Sequence, residues 1–150
     1  MSGKTPELIT MKRLVLAPLA VLALLAAPAQ AQNADTGKSQ FGQCRACHSL
    51  DKGKNGVGPS LFGVFGRTAG TAEKYAYSSD MKAAGEKGLK WDEASVFEYL
   101  ADPGAFLKKY LAKDSVSNKM PNKFPNEELR KNVIAYLLKE QKEHEGKEKK

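Results

Sequence analysis

The chain has 150 residues, 24 Lys and Arg against 17 Asp and Glu, a formal charge of +7, and 41 % hydrophobic residues. That length holds one domain with short appendages, and the apolar share suits a globular core while excluding a multi-span membrane protein. Two cysteines exclude both a scaffold stapled by several disulfides and a four-cysteine zinc site.

Taken in chain order, Lys12 and Arg13 precede an apolar run from Leu14 to Ala27, broken by Pro18 and followed by Ala29-Gln30-Ala31. A basic flank, a short apolar stretch and small residues in the A-x-A pattern predict a secretory signal over residues 1–31, cleaved after Ala31. The run is shorter than the roughly 20 apolar residues of a spanning helix, and an uncleaved anchor is the alternative. Cleavage leaves 119 residues with 21 basic and 16 acidic side chains, +5.

Asp35 is expected to cap a short helix running through Gly37 and Phe41 toward Cys44. Residues 51–70 carry six glycines and Pro59, a density that predicts a bent loop rather than regular structure. A short helix is expected over Ser79–Ala84, ended by Gly85, and another over Glu93–Ala101, capped by Asp92 and stopped by Asp102-Pro103. A further helix is expected over Ala105–Lys113. In the last one, capped by Asn126, Leu129, Val133, Tyr136 and Leu137 form an amphipathic stripe. After Glu140 the chain alternates Lys and Glu without an apolar face, so residues 141–150 are expected to be a flexible charged tail. No alternating strand pattern occurs, and the expected class is all-α, with residues 32–140 as the domain.

Cys44-Arg45-Ala46-Cys47-His48 is C-x-x-C-H, the c-type haem attachment pattern. Two thiols at this spacing can add across the two vinyl groups of one haem edge, and the histidine that follows can reach the iron as its proximal ligand. Three other chemistries use such residues. A thioredoxin-like site needs a βαβ setting, and zinc needs four ligands where only Cys44, Cys47, His48 and the distant His144 are available. A plain Cys44–Cys47 disulfide is the third. The sixth iron position is open to several readings. Met120 stands in the polar stretch Ser117-Asn118-Lys119-Met120-Pro121-Asn122, where a thioether has no packing reason to be, whereas Met81 lies in an expected helix and suits a core. An open position is the third possibility, and His144, in the polar tail, is expected to be solvated.

Over about 100 residues the chain resembles a class I c-type cytochrome, in particular the long bacterial cytochrome c-two type. The resemblance rests on Gly37-Lys38 with Phe41, C-R-A-C-H, Gly56-Val57-Gly58-Pro59-Ser60-Leu61-Phe62-Gly63, Gly66-Arg67-Thr68-Ala69-Gly70, Tyr75-Ala76-Tyr77-Ser78 and Met81-Lys82. It continues through Trp91, Tyr99-Leu100 with Asp102-Pro103, Lys119-Met120 and Ile134-Ala135-Tyr136-Leu137. It implies short helices and loops wrapped around one haem c, held through Cys44 and Cys47, with His48 and Met120 on the iron. It further implies that the Pro59 carbonyl accepts a hydrogen bond from His48, that Arg67, Tyr77 and Trp91 bond the propionates, and that Tyr99 approaches the ligand sulfur. Gly37, Phe41, Val133 and Tyr136 match the crossing of the first and last helices. The chain departs from the pattern in Gln43, in Ser117-Asn118 where Gly-Thr is usual, and in Pro121-Asn122-Lys123-Phe124 after the ligand.

These readings predict a soluble, monomeric, periplasmic electron carrier with no catalytic residues. Its expected partners are acidic docking surfaces of membrane redox complexes: by resemblance, a quinol–cytochrome bc-type donor and an oxidase, peroxidase or photosynthetic reaction centre as acceptor. Lys38, Lys52, Lys108, Lys109, Lys119 and Lys123 are the expected steering charges. Neither nucleic-acid binding nor membrane insertion of the mature chain is expected, because basic and acidic residues are interspersed. The alternative is a haem enzyme, or a gas or peroxide sensor, with a labile sixth ligand.

Overall fold

The computed structural model describes residues 32–149 together with Gly3. The leader expected over residues 1–31 therefore falls, Gly3 aside, outside the described residues. Six helices follow in order: α1 (Ala34–Gln40), α2 (Gly42–Arg45), α3 (Ser79–Glu86), α4 (Glu93–Ala101), α5 (Pro103–Leu111) and α6 (Glu127–Glu148). Among the described residues no strand forms, and one isolated bridge pairs Thr68 with Lys90. None of the described helices is long and apolar enough to cross a membrane.

The helix starts follow capping chemistry. Asn33, not Asp35, caps α1, its side chain accepting from the Asp35 and Thr36 amides. Asp35 stands in the first turn, where a negative charge meets the positive end of the helix dipole. Asp92 and Ser95 form a reciprocal capping box on α4. Asp102 ends α4 and caps α5, and Pro103 fills the first turn of α5, where its missing N–H costs nothing. Helix α5 thus starts two residues earlier than expected and ends at a left-handed Ala112. Helix α3 does not end at Gly85. That glycine is buried within it, because a Cβ there would stand 2.0 Å from the Ala69 carbonyl oxygen. Gly88, at φ +103°, turns the chain away after the helix.

Helices α1 and α6 cross where Gly37 meets Asn132 and Tyr136. Phe41, Val133, Tyr136 and Leu137 form a core cluster there, and the Phe41 and Tyr136 rings lie 5.5 Å apart. A larger cluster of Val64, Met81, Leu89, Trp91, Leu100, Leu107 and Ile134 lies under α3–α5. Leu61 and Phe65 pack against both clusters. The glycine-rich segment 51–70 is thereby pinned between them. Met81 is 6 % exposed, as its core assignment requires.

The last helix runs on past Glu140 to Glu148. The sequence had no apolar face to hold this turn, but polar contacts hold it. The Gln141 side chain accepts from the Phe65 amide at 3.1 Å and donates to the Phe65 carbonyl at 3.2 Å. His144, expected to be solvated, lies with its ring 4.9 Å from that of Phe62. Lys52 pairs with Glu148 at 3.1 Å.

Candidate functional site

The C-x-x-C-H segment is one continuous turn. The Cys44 amide bonds the Phe41 carbonyl at 2.8 Å, and the Cys47 and His48 amides both bond the Cys44 carbonyl, at 3.1 and 2.9 Å. Helical spacing of three puts both sulfurs on one side of the turn. Both thiols are free. Burial, aided by Cys47 nearby, pushes the Cys44 thiol up to about 11. A thiol-exchange catalyst needs the opposite shift, so Cys44 lacks the thiolate character of a redox site.

His48 is fixed by the loop that follows. Its Nδ1 lies 2.8 Å from the Pro59 carbonyl oxygen, which can only accept. Nδ1 therefore carries the proton, leaving Nε2 with a lone pair to offer. Burial lowers the His48 pKa, against the raising effect of the Pro59 bond. The imidazole is thus held neutral, the form a metal requires. The ring is cradled by Gly58, where a Cβ would stand 2.4 Å from Cε1, and a Cβ on Gly56 would stand 2.7 Å from the Cys47 carbonyl oxygen.

From Pro59 a connected path leads to Met120. Arg67 donates from Nη2 to the Ser60 carbonyl at 3.0 Å and from Nη1 to the Phe62 carbonyl at 3.1 Å. The Trp91 amide bonds the Arg67 carbonyl at 2.9 Å, and the Gly66 amide bonds the Trp91 carbonyl at 2.7 Å. The Trp91 and Tyr99 rings meet edge-on at 5.0 Å, and the Tyr99 hydroxyl donates to Asn118 Oδ1 at 3.4 Å. Asn118 brackets the methionine backbone. Its Oδ1 accepts from the Met120 amide at 3.2 Å, and its Nδ2 donates to the Met120 carbonyl at 2.6 Å. Burial pushes the Tyr99 hydroxyl far above the usual phenol range, so it stays a neutral donor. The structure thus brings His48, Pro59, Arg67, Trp91, Tyr99 and Met120 into one framework. Tyr77 joins it through Arg67. Burial raises its hydroxyl pKa, and the guanidinium charge opposes that rise.

The residues fit a covalent haem. Arg67 Nε is buried with no hydrogen-bond partner among the described residues. An unpaired guanidinium N–H, like that of Arg130 Nε, can take an anionic acceptor, and at Arg67 a propionate would supply one. Two free thiols, a neutral imidazole with an uncommitted nitrogen and a half-buried thioether complete the donor set. Two contributors were not recognised as such from sequence. Asn118 was legible only as a departure from the family pattern. Arg130, 5 % exposed, holds the Phe124 and Pro125 carbonyls at 2.6 and 2.9 Å and lies 4.2 Å over the Phe97 ring. A single Arg within a helix gives no sequence signal for that role.

Comparison with known proteins agrees with this geometry. The family model for cytochrome c matches residues 34–141. A cytochrome c2 of Rhodopseudomonas palustris is 52 % identical over 112 residues, 71 % of this chain and 96 % of that protein. A cytochrome c2 of Cereibacter sphaeroides is 42 % identical over 138 residues, 85 % of this chain and 95 % of that protein. The solved structure of cytochrome c2 from Rhodospirillum centenum superposes with a TM-score of 0.67 at 44 % identity, covering 71 % of this chain and 97 % of that one.

Proposed function

This chain belongs to the cytochrome c family, as a class I c-type cytochrome that carries electrons on one covalent haem c, and from that premise we propose how its own residues serve the transfer. Cys44 and Cys47 form the two thioethers. His48 Nε2 and the Met120 sulfur would hold the iron, so that it would exchange electrons and not bind substrates. A bound haem supplies an iron that alternates between ferrous and ferric states, and methionine ligation favours the ferrous one. Pro59 fixes the His48 tautomer. Arg67 Nε, with Tyr77 and Trp91, receives the propionates. Tyr99 and Asn118 orient Met120.

The observation that carries this reading is the His48–Pro59 bond, which puts the ring proton on Nδ1 and leaves the Nε2 lone pair without a hydrogen-bond donor among the described residues. The carrier reading is favoured over the enzyme and sensor alternative by the similarity to cytochromes c2. We place the mature protein in the periplasm as a soluble monomer. In support of export, Lys12 and Arg13, the apolar run Leu14 to Ala27 and Ala29-Gln30-Ala31 have the order of a secretory signal. Its partners are redox complexes, and the fit proposed is to acidic docking faces of a quinol–cytochrome bc-type donor and an oxidase, peroxidase or reaction-centre acceptor. Lys38, Lys52, Lys108, Lys109, Lys119 and Lys123 are all exposed, as steering charges must be.

Protein produced in cells that assemble c-type haem is expected to weigh one haem more than residues 32–150. Its ferric form is expected to show a sulfur-to-iron charge-transfer band, and its ferrous form to bind no carbon monoxide. Carbon monoxide binding by the native ferrous protein would remove Met120 from the iron and return the sensor reading.

A further inference from the structure

Among the described residues Asp80 is the only acidic one that is buried, 7 % exposed, near the start of α3. A carboxylate at that depth needs compensation on every side, and it finds it in one segment. Lys113 Nζ lies 2.5 Å from Oδ1, and Oδ2 accepts from the Ser117 amide at 2.6 Å and from the Ser117 hydroxyl at 2.8 Å. The Ser79 and Ser117 hydroxyls are 3.1 Å apart. Past the end of α5, all the hydrogen bonds of residues 113–117 to other elements run to Ser79 and Asp80, among the described residues.

That segment is the upstream half of the 15-residue connection between α5 and α6, which has no helix of its own and carries Met120. Its downstream half is held separately, by Arg130 on the Phe124 and Pro125 carbonyls and by the Phe124 amide on the Leu100 carbonyl at 2.9 Å. Ser117 is covalently joined to Asn118, the residue that brackets the Met120 backbone. Helix α3 is a rigid base for the attachment, with Met81 and Ala84 in the core and Gly85 against Ala69. We propose that Asp80 is a positioning residue for the sixth iron ligand: by clamping Lys113 and Ser117 onto α3 it fixes Asn118, and through it keeps the Met120 sulfur on the iron. Without the clamp, the loop spends more time with the methionine withdrawn.

The inference rests on Met120 being the ligand, and the test separates the two. An added ligand such as imidazole binds ferric iron only while methionine is off, so its apparent affinity reads the withdrawn fraction. Imidazole titrations of the ferric holoprotein are expected to show about tenfold tighter binding in Asp80→Ala, with a smaller change of the same sign in Asp80→Asn. A variant at the α1–α6 crossing, Val133→Ala, serves as the comparison. It is expected to lower global stability while leaving the imidazole affinity unchanged. If Asp80→Ala does not yield folded holoprotein, Asp80→Asn, which keeps the shape and one carbonyl acceptor, decides alone. Unchanged imidazole affinity in the Asp80 variants overturns the proposal, as does an equal change in Val133→Ala for an equal loss of stability. A wild-type ferric protein with no sulfur-to-iron band would instead overturn the Met120 assignment itself.

Discussion

A Cβ on residue 58 would stand 2.4 Å from Cε1 of His48, so Gly58 and the imidazole occupy adjoining space that no side chain can share. The glycine is buried, and its neighbour Pro59 makes the bond that sets the His48 tautomer. One backbone turn therefore both limits where the ring can go and fixes which nitrogen is free.

Gly58→Ala is expected to push the ring or the loop aside. Overpacking of this kind costs about 1–3 kcal/mol, read as a lower denaturant midpoint. The displaced carbonyl should also loosen the Nδ1 bond, so the reduction potential is expected to rise as the imidazole becomes a poorer donor. Equal stability and potential in the variant and the parent would show that the loop yields freely.

The crossing of α1 and α6 has an even tighter contact. A Cβ on Gly37 would lie 1.9 Å from the Asn132 carbonyl oxygen and 2.5 Å from its carbon. Both are backbone atoms in mid-helix that no rotamer change can move. Asn132 also ties the two helices directly, its Oδ1 accepting from the Asn33 amide at 2.9 Å. Gly37→Ala is expected to cost about 3 kcal/mol or somewhat more, while the optical spectrum of the folded protein stays as it was. Chemical denaturation followed by far-ultraviolet circular dichroism and by haem absorbance checks both halves of the expectation.

Which of these features the sequence discloses depends on how local their cause is. Asp92 and Asn126 were legible as caps because a capping residue acts on amides within three positions. The stripe of α6 was legible because helical period alone decides which residues share a face. The Cys44–His48 spacing, likewise, is read within five residues. Asp80 was not legible, since its partners lie 33 and 37 residues away and an acid beside a helix start reads as an ordinary dipole charge. Gly85 looked like a helix end, because only the distant Ala69 carbonyl explains why a glycine sits inside one. The stretch past Glu140 looked unstructured for a related reason: side-chain bonds to the backbone of a remote loop leave no pattern in composition.

Acid sensitivity follows from the Asp80 cluster. The bond from Lys113, then those from Ser117, hold the carboxyl down to about 2 from an ordinary value of 3.8. A carboxyl with a depressed folded pKa stabilises the fold fully above its unfolded value and loses that contribution as pH falls through the folded one. The contribution is therefore present at neutral pH and disappears between about pH 4 and pH 2. Stability measured across that window is expected to fall less steeply in Asp80→Asn than in the parent. Identical slopes would mean that the carboxylate is not the group being titrated.

The surface lysines are not equivalent. Lys52, Lys109 and Lys123 pair with Glu148, Asp102 or Glu98, at 3.1 Å for Lys52–Glu148, 3.7 Å for Lys109–Glu98 and 2.6 Å for Lys123–Asp102. Lys108 has no ion pair among the described residues and lines one cleft with Met120 and Asn118. Its charge thus lacks the ion pair that Lys123 has in the same cleft, and it lies beside Met120, which Lys52 does not. Lys108→Glu is expected to slow association with an acidic redox partner by about threefold more than Lys52→Glu at low salt. The two should converge as ionic strength shortens the screening length. Stopped-flow oxidation by such a partner over a salt series measures both, and parallel curves would relocate the docking face.

The final turns of α6 allow a sharper test of where the domain ends. Gln141 satisfies both the amide and the carbonyl of Phe65, and Phe65 packs against both core clusters. Removing that side chain leaves a partly buried donor and acceptor unpaired. Gln141→Ala is therefore expected to cost about 1–2 kcal/mol. Deleting residues 147–150 removes the Glu148–Lys52 pair, whose side chains are 59 % and 74 % exposed, and should cost under about 1 kcal/mol. Truncation after Glu140 removes the Gln141 bonds together with the Phe62–His144 ring contact, and so should destabilise at least as much as Gln141→Ala. If all three variants unfold at the parental denaturant midpoint, the polar contacts past Glu140 contribute nothing and the domain ends there. If the cost appears at Gln141 alone, one amide side chain, and not an apolar face, attaches the end of the helix to the loop behind His48.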